Sequence, residues 1–221
     1  MRIVVYSGKG GDGKTPIATN IALDRNYGIG TNEHFHIFDG FIPDDNLLAI
    51  KANEPFPDIP DDIDIVFDLA GSITENSVSI ISALRQADIV IVPISNEVKA
   101  LVAGIGTIRE IQRFTNNILV VATKLEKGRK EIFTDDWKQS SEYLNIKSQV
   151  EQHLGKIPVL PLRLSKVFNA IFEQEKSIRQ LMKADPLARY NYKQVSNQFD
   201  EIYQFIDGVV INAKQKQPEL A

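Results

Sequence analysis

The feature that most constrains this 221-residue chain is a glycine-rich segment between its first apolar run and its first helical pattern. Residues 3–6 read Ile-Val-Val-Tyr, which is typical of a strand buried on both faces. Residues 17–22 carry apolar side chains at helical spacing. The segment between them reads Ser7-Gly8-Lys9-Gly10-Gly11-Asp12-Gly13-Lys14-Thr15. A buried strand that passes through a tight loop into a helix predicts a βαβ unit.

The rest of the sequence continues this alternation of strand and helix. Further β-branched runs predict strands over 35–38, 65–67, 89–92, 118–121 and 157–160, and helical spacing recurs over 78–85, 102–112, 171–181 and 195–206. This alternation predicts an α/β fold, with a single domain over 1–212 and a polar tail over 213–221. The sheet is expected to be mostly parallel with helices on both faces.

Composition excludes several classes of function. The chain has no cysteine, so disulfides, thiolate zinc sites, iron–sulfur clusters and cysteine nucleophiles are excluded. It has no apolar run near the roughly 18 residues of a membrane span, and its first apolar run is too short for a signal peptide. We therefore expect a cytoplasmic protein.

The formal net charge is −4, but it is unevenly distributed. Residues 1–123 contain 9 Lys/Arg and 16 Asp/Glu, whereas residues 124–221 contain 16 and 13. The overall balance argues against a nucleic-acid coat protein. The mildly basic C-terminal half is compatible with a polyanion contact, but the charge count alone favours an ordinary solvated surface.

The glycine-rich segment has the spacing of a phosphate-binding loop. Gly8 and, four residues on, Gly13-Lys14-Thr15 match the pattern G-x-x-x-x-G-K-S/T. Glycines allow successive backbone N–H groups to converge on a phosphate, and the next helix directs its N-terminus at the same anion. Lys14 is expected to reach the β- and γ-phosphates, and the Thr15 hydroxyl to bind Mg²⁺. The predicted nucleotide-binding residues here are Gly8, Lys9, Gly10, Gly11, Asp12, Gly13, Lys14, Thr15 and Pro16.

A second lysine gives this loop a more specific likeness. Lys9 to Thr15 reads Lys-Gly-Gly-x-Gly-Lys-Thr and resembles the deviant Walker A motif of the ParA/MinD family of ATPases. The resemblance implies a P-loop NTPase domain that uses ATP/ADP and Mg²⁺ and forms a homodimer on ATP binding. It also implies that Lys9 crosses to the ATP of the second subunit, so that Lys9 and Lys14 are both catalytic.

The likeness covers residues 1 to about 207. Residues 64–72 resemble the Walker B strand and switch II of the family, with Asp68 holding Mg²⁺ through water, and their wording is closest to short plasmid-partition ParA proteins. Residues 87–94 resemble the next strand of the family. Residues 160–163 and a helix over 165–175 resemble the segment that packs against adenine, which adds Pro161 and Leu162 to the expected nucleotide contacts. Thr123 stands at the position of the base-reading Asn of the family.

Three departures from the family pattern affect the expected chemistry. The family has Asp-x-Asp in switch I. Here Asp39 fits the first, catalytic position, but Phe41 stands at the second, which predicts slow hydrolysis without a partner, with Asp44 or Asp45 as substitutes or plain loop acids. Pro16 replaces a hydroxyl residue, and Thr123 makes adenine preference less secure.

The leading functional hypothesis is an ATP-dependent partition ATPase for plasmid or chromosomal DNA. On this hypothesis the ATP dimer binds DNA nonspecifically, becomes nucleoid-associated, and is switched off when a centromere-binding, ParB-like partner stimulates hydrolysis. The candidate DNA contacts are Arg163, Lys166, Lys183, Arg189 and Lys193. No membrane contact is expected, since the last predicted helix has three acids and no base before Lys214.

The alternatives are a MinD-like positioning ATPase, a weakly hydrolysing nucleotide switch, and a small-molecule ligase on the same scaffold. Other candidate features are weaker. The three histidines lack metal-ligand spacing, and Trp137 and Phe133, on a predicted helix, are interpreted as packing residues. A basic cluster at Lys124, Lys127, Arg129 and Lys130 is interpreted as a solvated turn, with a phosphate or DNA contact as the alternative.

Overall fold

In the part of the chain that the structure describes, seven parallel strands form one sheet in the order β3-β2-β4-β1-β5-β6-β7. The computed structural model describes residues 1–71, 73, 77–131 and 134–215, so Ser72 of the predicted switch II and Phe133 lie outside the described residues. The strands are β1 (Arg2–Tyr6), β2 (Gly28–Thr31), β3 (Leu47–Ala49), β4 (Ile65–Leu69), β5 (Ile89–Ser95), β6 (Ile118–Leu125) and β7 (Val159–Arg163).

Helices cover both faces of this sheet. They are α1 (Lys14–Arg25), α2 (Val78–Gln86), α3 (Val98–Ile111), α4 (Ser141–Leu154), α5 (Val167–Gln174), α6 (Ile178–Ala184) and α7 (Pro186–Gln215). The first of two hydrophobic cores packs α1, α5, α6 and α7 against one face, and the second packs α2, α3 and α4 against the other. Ile3 belongs to the first core and Val4 to the second, as the alternation of side chains along a strand requires. The predicted α/β class, parallel sheet and two helical layers are confirmed.

The predicted strand over 35–38 is wrong. The second strand is β2, whose sequence Gly-Ile-Gly-Thr has no apolar run to reveal it. Position 30 requires glycine for a steric reason, because a Cβ there would lie 2.6 Å from the Phe67 ring on β4. Residues 35–38 form a loop in which Phe38 is buried, whereas Phe35 is 89% exposed.

Three further differences concern helices. Helix α4 was not predicted, because its buried Tyr143, Ile146 and Val150 are separated by polar residues. The helical pattern over 171–181 is divided into α5 and α6 by Glu175, which adopts φ 54°, and by a capping box at Ser177. Trp137 lies in a short 3₁₀ turn (Trp137–Gln139), not on an α-helix, although it is 9% exposed and packs as expected.

The parallel arrangement brings the carboxyl ends of the central strands to one edge of the sheet. The loops after β1, β2, β4, β5 and β6 therefore meet there, which is where open α/β sheets bind ligands. No helix within the described ranges is both long and apolar enough to cross a bilayer.

Candidate nucleotide site

The loop between β1 and α1 has the backbone geometry of an anion cradle. Gly11 and Gly13 have φ values of 83° and 91°, in the left-handed region that favours glycine. Gly13 is also the N-cap of α1, and no side chain caps the helix there. The first N–H groups of α1 are thus directed at the space in front of the loop, together with the positive end of the helix dipole.

Asp12 holds this loop in place from inside the protein. Its carboxylate is 1% exposed and accepts hydrogen bonds from Ser95 Oγ at 3.0 Å and from Ser7 Oγ at 3.4 Å. Its carbonyl oxygen accepts a hydrogen bond from Thr123 Oγ1 at 2.9 Å. These hydrogen bonds connect the loop to β5 and β6. The Thr123 hydroxyl therefore has a structural role between β6 and the loop.

Both lysines of the loop are bound to acceptors of the chain itself. Lys14 is 9% exposed, and its Nζ donates to the carbonyl oxygen of Lys9 at 3.2 Å. Lys9 Nζ lies 2.9 Å from Glu97 Oε2 and 3.3 Å from Asp12 Oδ1. The hydrogen bond with Glu97 raises the pKa of Lys9 and lowers the pKa of Glu97.

A cavity of about 390 Å³ extends from the loop toward β7 and α5. At the loop it is lined by Gly10, Gly11, Gly13, Lys14, Thr15, Pro16 and Glu33, and at the other end by Thr123, Lys124, residues 162–165, Phe168 and Asn169. The structure thus brings most of the predicted nucleotide-binding residues together around one space.

The remaining predicted residues lie elsewhere. Lys9 and Asp12 lie outside the cavity lining and hydrogen-bond to each other, and Asp12 also accepts from Ser95. The Gly8 N–H donates to Thr107 Oγ1 at 3.2 Å. Leu162 lines the cavity, but Pro161 does not, because successive residues of β7 point to opposite sides. Pro161 instead lines a second cavity of about 720 Å³ beside α7.

Asp68 ends up with a buried carboxylate and no internal partner. It lies on β4, beside β1, and neither of its oxygens has a hydrogen-bond partner among the described residues. Burial raises the pKa of Asp68 to about 6, while the nearby Thr15 hydroxyl and, less strongly, Lys14 act to lower it. An unpartnered buried carboxylate beside a threonine hydroxyl and a phosphate loop fits a Mg²⁺ site.

Other ligands of such an ion have to come from outside the chain. Within the described residues, no group of three His, Asp or Glu side chains is placed to hold a metal. Mg²⁺ keeps several waters and is commonly bound through one or two protein oxygens and substrate phosphates. Thr15 and Asp68 would supply the protein oxygens.

Glu33 is the acid that sequence reasoning missed. It follows β2 by two residues, lines the cavity at its loop end, and its charge contributes to the raised pKa of Asp68. The register of β2 with β4 pairs Thr31 with Asp68, which explains why the two acids are close. The signal was an acid just after the second strand, and it was lost when that strand was placed over 35–38.

The predicted switch I residues lie away from this cavity. The carboxylate of Asp39 is 83% exposed and lies 3.7 Å from His36 Nδ1. Phe41 packs on the first core, with its ring centre 5.9 Å from that of Phe38. Asp44 and Asp45 are exposed in a 3₁₀ turn. Switch I was placed at 39–45 because a strand was expected over 35–38, and that strand does not exist. Phe41 therefore no longer gives a reason to expect slow hydrolysis.

The five candidate DNA contacts fall into separate places. Arg189 and Lys193 are exposed one turn apart on α7, and Lys193 and Arg163 line the second cavity. The Arg163 guanidinium lies 5.2 Å from the centre of the Trp137 ring, and Lys127 Nζ lies 4.6 Å from it. Lys183 is exposed on α6, and Lys166 is exposed just before α5. Arg163, Lys193 and Arg189 therefore form the one group of these candidates that shares a region.

No protein-family model matches the chain, and no curated protein matches it in sequence. Solved structures do match its fold. Apo McdA from Cyanothece superposes with a TM-score of 0.64 at 13% identity, covering 93% of this chain and 98% of McdA. The MinD of Pyrococcus horikoshii, solved with Mg-ADP, gives a TM-score of 0.55 at 12% identity, covering 91% of this chain and 97% of MinD.

The chain has a ParA/MinD-like fold. An ATP complex of Cyanothece McdA also matches, with a TM-score of 0.61 at 13% identity and coverage of 94% of this chain and 96% of McdA. The ParA/MinD-like fold spans nearly the full length of both proteins in each of these comparisons. The resemblance first seen in seven residues of the loop thus extends to the arrangement of the sheet and helices.

Proposed function

We propose that this chain is an ATPase of the ParA type that dimerises on ATP, binds DNA without sequence preference and is released when a ParB-like partner stimulates hydrolysis. The observation that carries the proposal is that the two lysines of the loop have different positions relative to the cavity. Lys14 lines the cavity, whereas Lys9 lies outside its lining and is held by Glu97. A cation in that position has no phosphate of its own subunit to serve and is suited to the nucleotide of a second subunit.

The cavity supports binding of a nucleoside triphosphate with its phosphates at the loop. The N–H groups at the start of α1 and the Lys14 ammonium are donors for the β- and γ-phosphates. Thr15 and Asp68 would hold Mg²⁺, which would supply neutralisation of the charge on the phosphates. Lys14 must leave the Lys9 carbonyl to reach a phosphate, so nucleotide binding frees the backbone that carries Lys9.

Glu33 is the proposed positioning group for the attacking water. It is half-buried at the phosphate end of the cavity, close enough to Asp68 to affect its pKa. A carboxylate there can accept a hydrogen bond from a water in line with the terminal phosphate. Asp39, exposed in the following loop, has no comparable position.

Two exposed bases on α7 are the proposed DNA contacts of the dimer, although Asp135, Asp136 and Glu201 line the neighbouring cavity together with Arg163 and Lys193. Arg189 and Lys193 are exposed, and neither they nor the half-buried Arg163 have an ion pair among the described residues. A chain of net charge −4 is repelled by a polyanion overall, so attraction has to come from a local patch. Dimerisation doubles the patch, which links DNA binding and nucleoid association to ATP.

A positioning ATPase that acts on a protein cargo is the second candidate. MinD from Aquifex aeolicus, solved in complex with MinC, shares the fold with a TM-score of 0.51 at 14% identity, covering 90% of this chain and 95% of MinD. The exposed Val98 and Val102, one turn apart on α3 beside Glu97, favour a protein contact near the loop. On this alternative the dimer forms with ATP but does not bind DNA.

Analytical ultracentrifugation distinguishes these proposals. We expect a monomer with ADP, a dimer with a non-hydrolysable ATP analogue, and co-sedimentation with duplex DNA only for the dimer. Lys14→Ala should abolish ATP binding, with Lys99→Ala, an exposed lysine on α3, as the matched control. ATP affinity retained by Lys14→Ala, or the same mass in all nucleotide states, would contradict the proposal. A dimer without DNA binding would favour the positioning ATPase.

A further inference from the structure

Asn32 is a buried polar residue that joins the ends of β2 and β4. It is the first residue after β2 and is 5% exposed. The backbone pairing of the two strands ends at Thr31 and Asp68. Beyond that pair, Asn32 Oδ1 accepts a hydrogen bond from the Ala70 N–H at 2.8 Å, and Asn32 Nδ2 donates to the Ala70 carbonyl oxygen at 3.0 Å. One side-chain amide therefore binds both backbone polar groups of a single residue.

Ser79, which is buried on α2, fixes the orientation of this amide. Asn32 Nδ2 also donates to Ser79 Oγ at 2.9 Å, and that hydroxyl donates in turn to the Ala52 carbonyl oxygen at 2.9 Å. Because the hydroxyl proton is used on Ala52, the Ser79 oxygen can only accept from Asn32. A rotated amide would place Oδ1 against the Ala70 carbonyl oxygen and Nδ2 against the Ala70 N–H. The amide therefore has a single orientation, in which both of its N–H groups have acceptors.

The two segments that Asn32 joins carry the acids of the proposed reaction. Glu33, the proposed positioning group for the attacking water, directly follows Asn32. Asp68, the proposed Mg²⁺ ligand, precedes Ala70 by two residues. Among the described residues, no other side-chain hydrogen bond joins 32–43 to 69–71. The Asn32 amide therefore sets the position of one acid relative to the other beyond the last strand pair.

We propose that Asn32 is a positioning residue for ATP hydrolysis, which holds Glu33 in place relative to Asp68 through the backbone of Ala70. The inference rests on the proposed function, because it depends on the role given to Glu33 there. Hydrolysis requires the attacking water to lie in line with the terminal phosphate. A displacement of about 1 Å in such an arrangement reduces the rate by about 100-fold. Phosphate binding depends on the loop and Lys14, so it does not require this contact.

The residue after Ala70 is held by a separate contact. The Gly71 carbonyl oxygen accepts a hydrogen bond from Tyr6 Oη at 3.1 Å, and Gly71 adopts φ 94°. Tyr6 is 1% exposed and ends β1, directly before the phosphate loop. Loss of the Asn32 amide therefore leaves Gly71 bound to β1. We expect a variant without this amide to fold, with Ala70 and Glu33 free to shift relative to each other.

Single-turnover hydrolysis and calorimetric ATP binding, measured on the same variants, test the proposal. Asn32→Ala should reduce the hydrolysis rate by about 100-fold and leave the Kd for ATP unchanged. Asn20→Ala is the matched control, because Asn20 is 1% exposed and its amide likewise binds a backbone N–H, that of Ile178, and a second side chain, that of Tyr203. This control should lower the stability of the fold and leave the hydrolysis rate unchanged.

A double-mutant cycle separates positioning from a general loss of structure. In the Glu33→Gln background, Asn32→Ala should change the hydrolysis rate by less than about threefold, because the carboxylate that it positions is no longer there. Independent, multiplicative effects of the two substitutions would overturn the proposal. A wild-type hydrolysis rate in Asn32→Ala, or an equal loss of rate in Asn20→Ala, would overturn it as well.

Amide hydrogen exchange gives a readout that does not depend on activity. In the wild type, the Ala70 N–H should exchange at least about tenfold more slowly than a free amide, and Asn32→Ala should remove this protection. Exchange of the wild-type Ala70 amide at the free rate would overturn the contact itself, while ATP hydrolysis by the wild type leaves the proposed function in place. Absence of ATP binding in the wild type would overturn the proposed function and this inference together.

Discussion

The Lys9 ammonium lies 2.9 Å from the Glu97 carboxylate, across 88 residues of sequence. Glu97 directly precedes α3, and the ion pair holds Lys9 against its own subunit, with the buried Asp12 carboxylate as a second partner. A lysine that acts on the nucleotide of a second subunit has to break these contacts first. On the proposed function, the ion pair therefore opposes ATP-dependent dimerisation of the free chain.

Glu97→Gln should dimerise at an ATP or protein concentration a few-fold lower than the wild type, because an exposed ion pair of this kind has a modest effect. Glu110→Gln, which removes an ion pair between α3 and Arg113 just after it, is the matched control. Sedimentation velocity across protein concentrations measures the effect. Lys9→Ala should bind ADP and fail to dimerise. A Glu97→Gln dimer weaker than the wild type would show that Glu97 supports the dimer instead.

Replacing Glu33 by Gln should reduce ATP hydrolysis without reducing ATP binding. We expect single-turnover rates to fall by about 100-fold, since water positioning by a carboxylate contributes on that order. Asp39→Asn is the matched control, because it removes the acid that sequence alone placed in switch I but that is 83% exposed. Rapid-quench assays with labelled ATP measure both variants. Loss of hydrolysis in Asp39→Asn but not in Glu33→Gln would restore the sequence-based assignment.

Asp68→Asn should stabilise the nucleotide-free chain and weaken Mg²⁺-dependent binding. The pKa of Asp68 is about 6 in the folded chain against an ordinary 3.8, so the folded state holds this proton more tightly than the unfolded state. The ionised carboxylate therefore opposes folding by about 2–3 kcal/mol above pH 6, and this cost disappears as the pH falls toward 4.

Urea unfolding between pH 4 and pH 8 measures this cost. The stability gain of Asp68→Asn over the wild type should be largest at pH 7 and vanish near pH 4. In ATP titrations, Asp68→Asn should lose most of the benefit of added Mg²⁺. An Asp68→Asn variant less stable than the wild type at pH 7 would contradict the unpartnered state of this carboxylate.

DNA binding should depend on ATP and on the exposed bases of α7. The double variant Arg189→Glu, Lys193→Glu should weaken binding of the ATP dimer to duplex DNA. The slope of log affinity against log salt should fall by about 0.9 for each phosphate that the variant no longer neutralises. Lys51→Glu, an exposed base in the acidic half, is the control. Polarisation titrations at several salt concentrations measure this, and equal affinity with ATP, ADP and no nucleotide would remove DNA from the proposed function.

The predicted loop residues that the structure brings to the cavity are those whose signal is local. The Lys9–Thr15 loop is recognisable because glycine geometry, a preceding strand and a following helix lie within a single stretch of chain. Asp68 was proposed because residues 64–72 resemble a Walker B strand, and the structure places it on the buried strand β4 beside β1. The sheet and its two helical layers followed from the same alternation, since near-continuous apolar strands require cover on both faces.

Tertiary contacts decided the rest. Position 30 on β2 is glycine because the Phe67 ring occupies the space that a side chain would need. With glycine there, β2 has no apolar run, so neither the strand nor Glu33 after it was recognised from the sequence. Thr123 has a structural role because its hydroxyl donates a hydrogen bond to the carbonyl of Asp12, 111 residues away. Lys9 pairs with Glu97 only because the order β4-β1-β5 brings the loop after β1 beside the start of α3. The sequence by itself determined where the phosphate-loop pattern lies, because its strand, glycines and helix are adjacent in the chain. The packing of strands distant in sequence decided which acids, hydrogen bonds and ion pairs surround that loop.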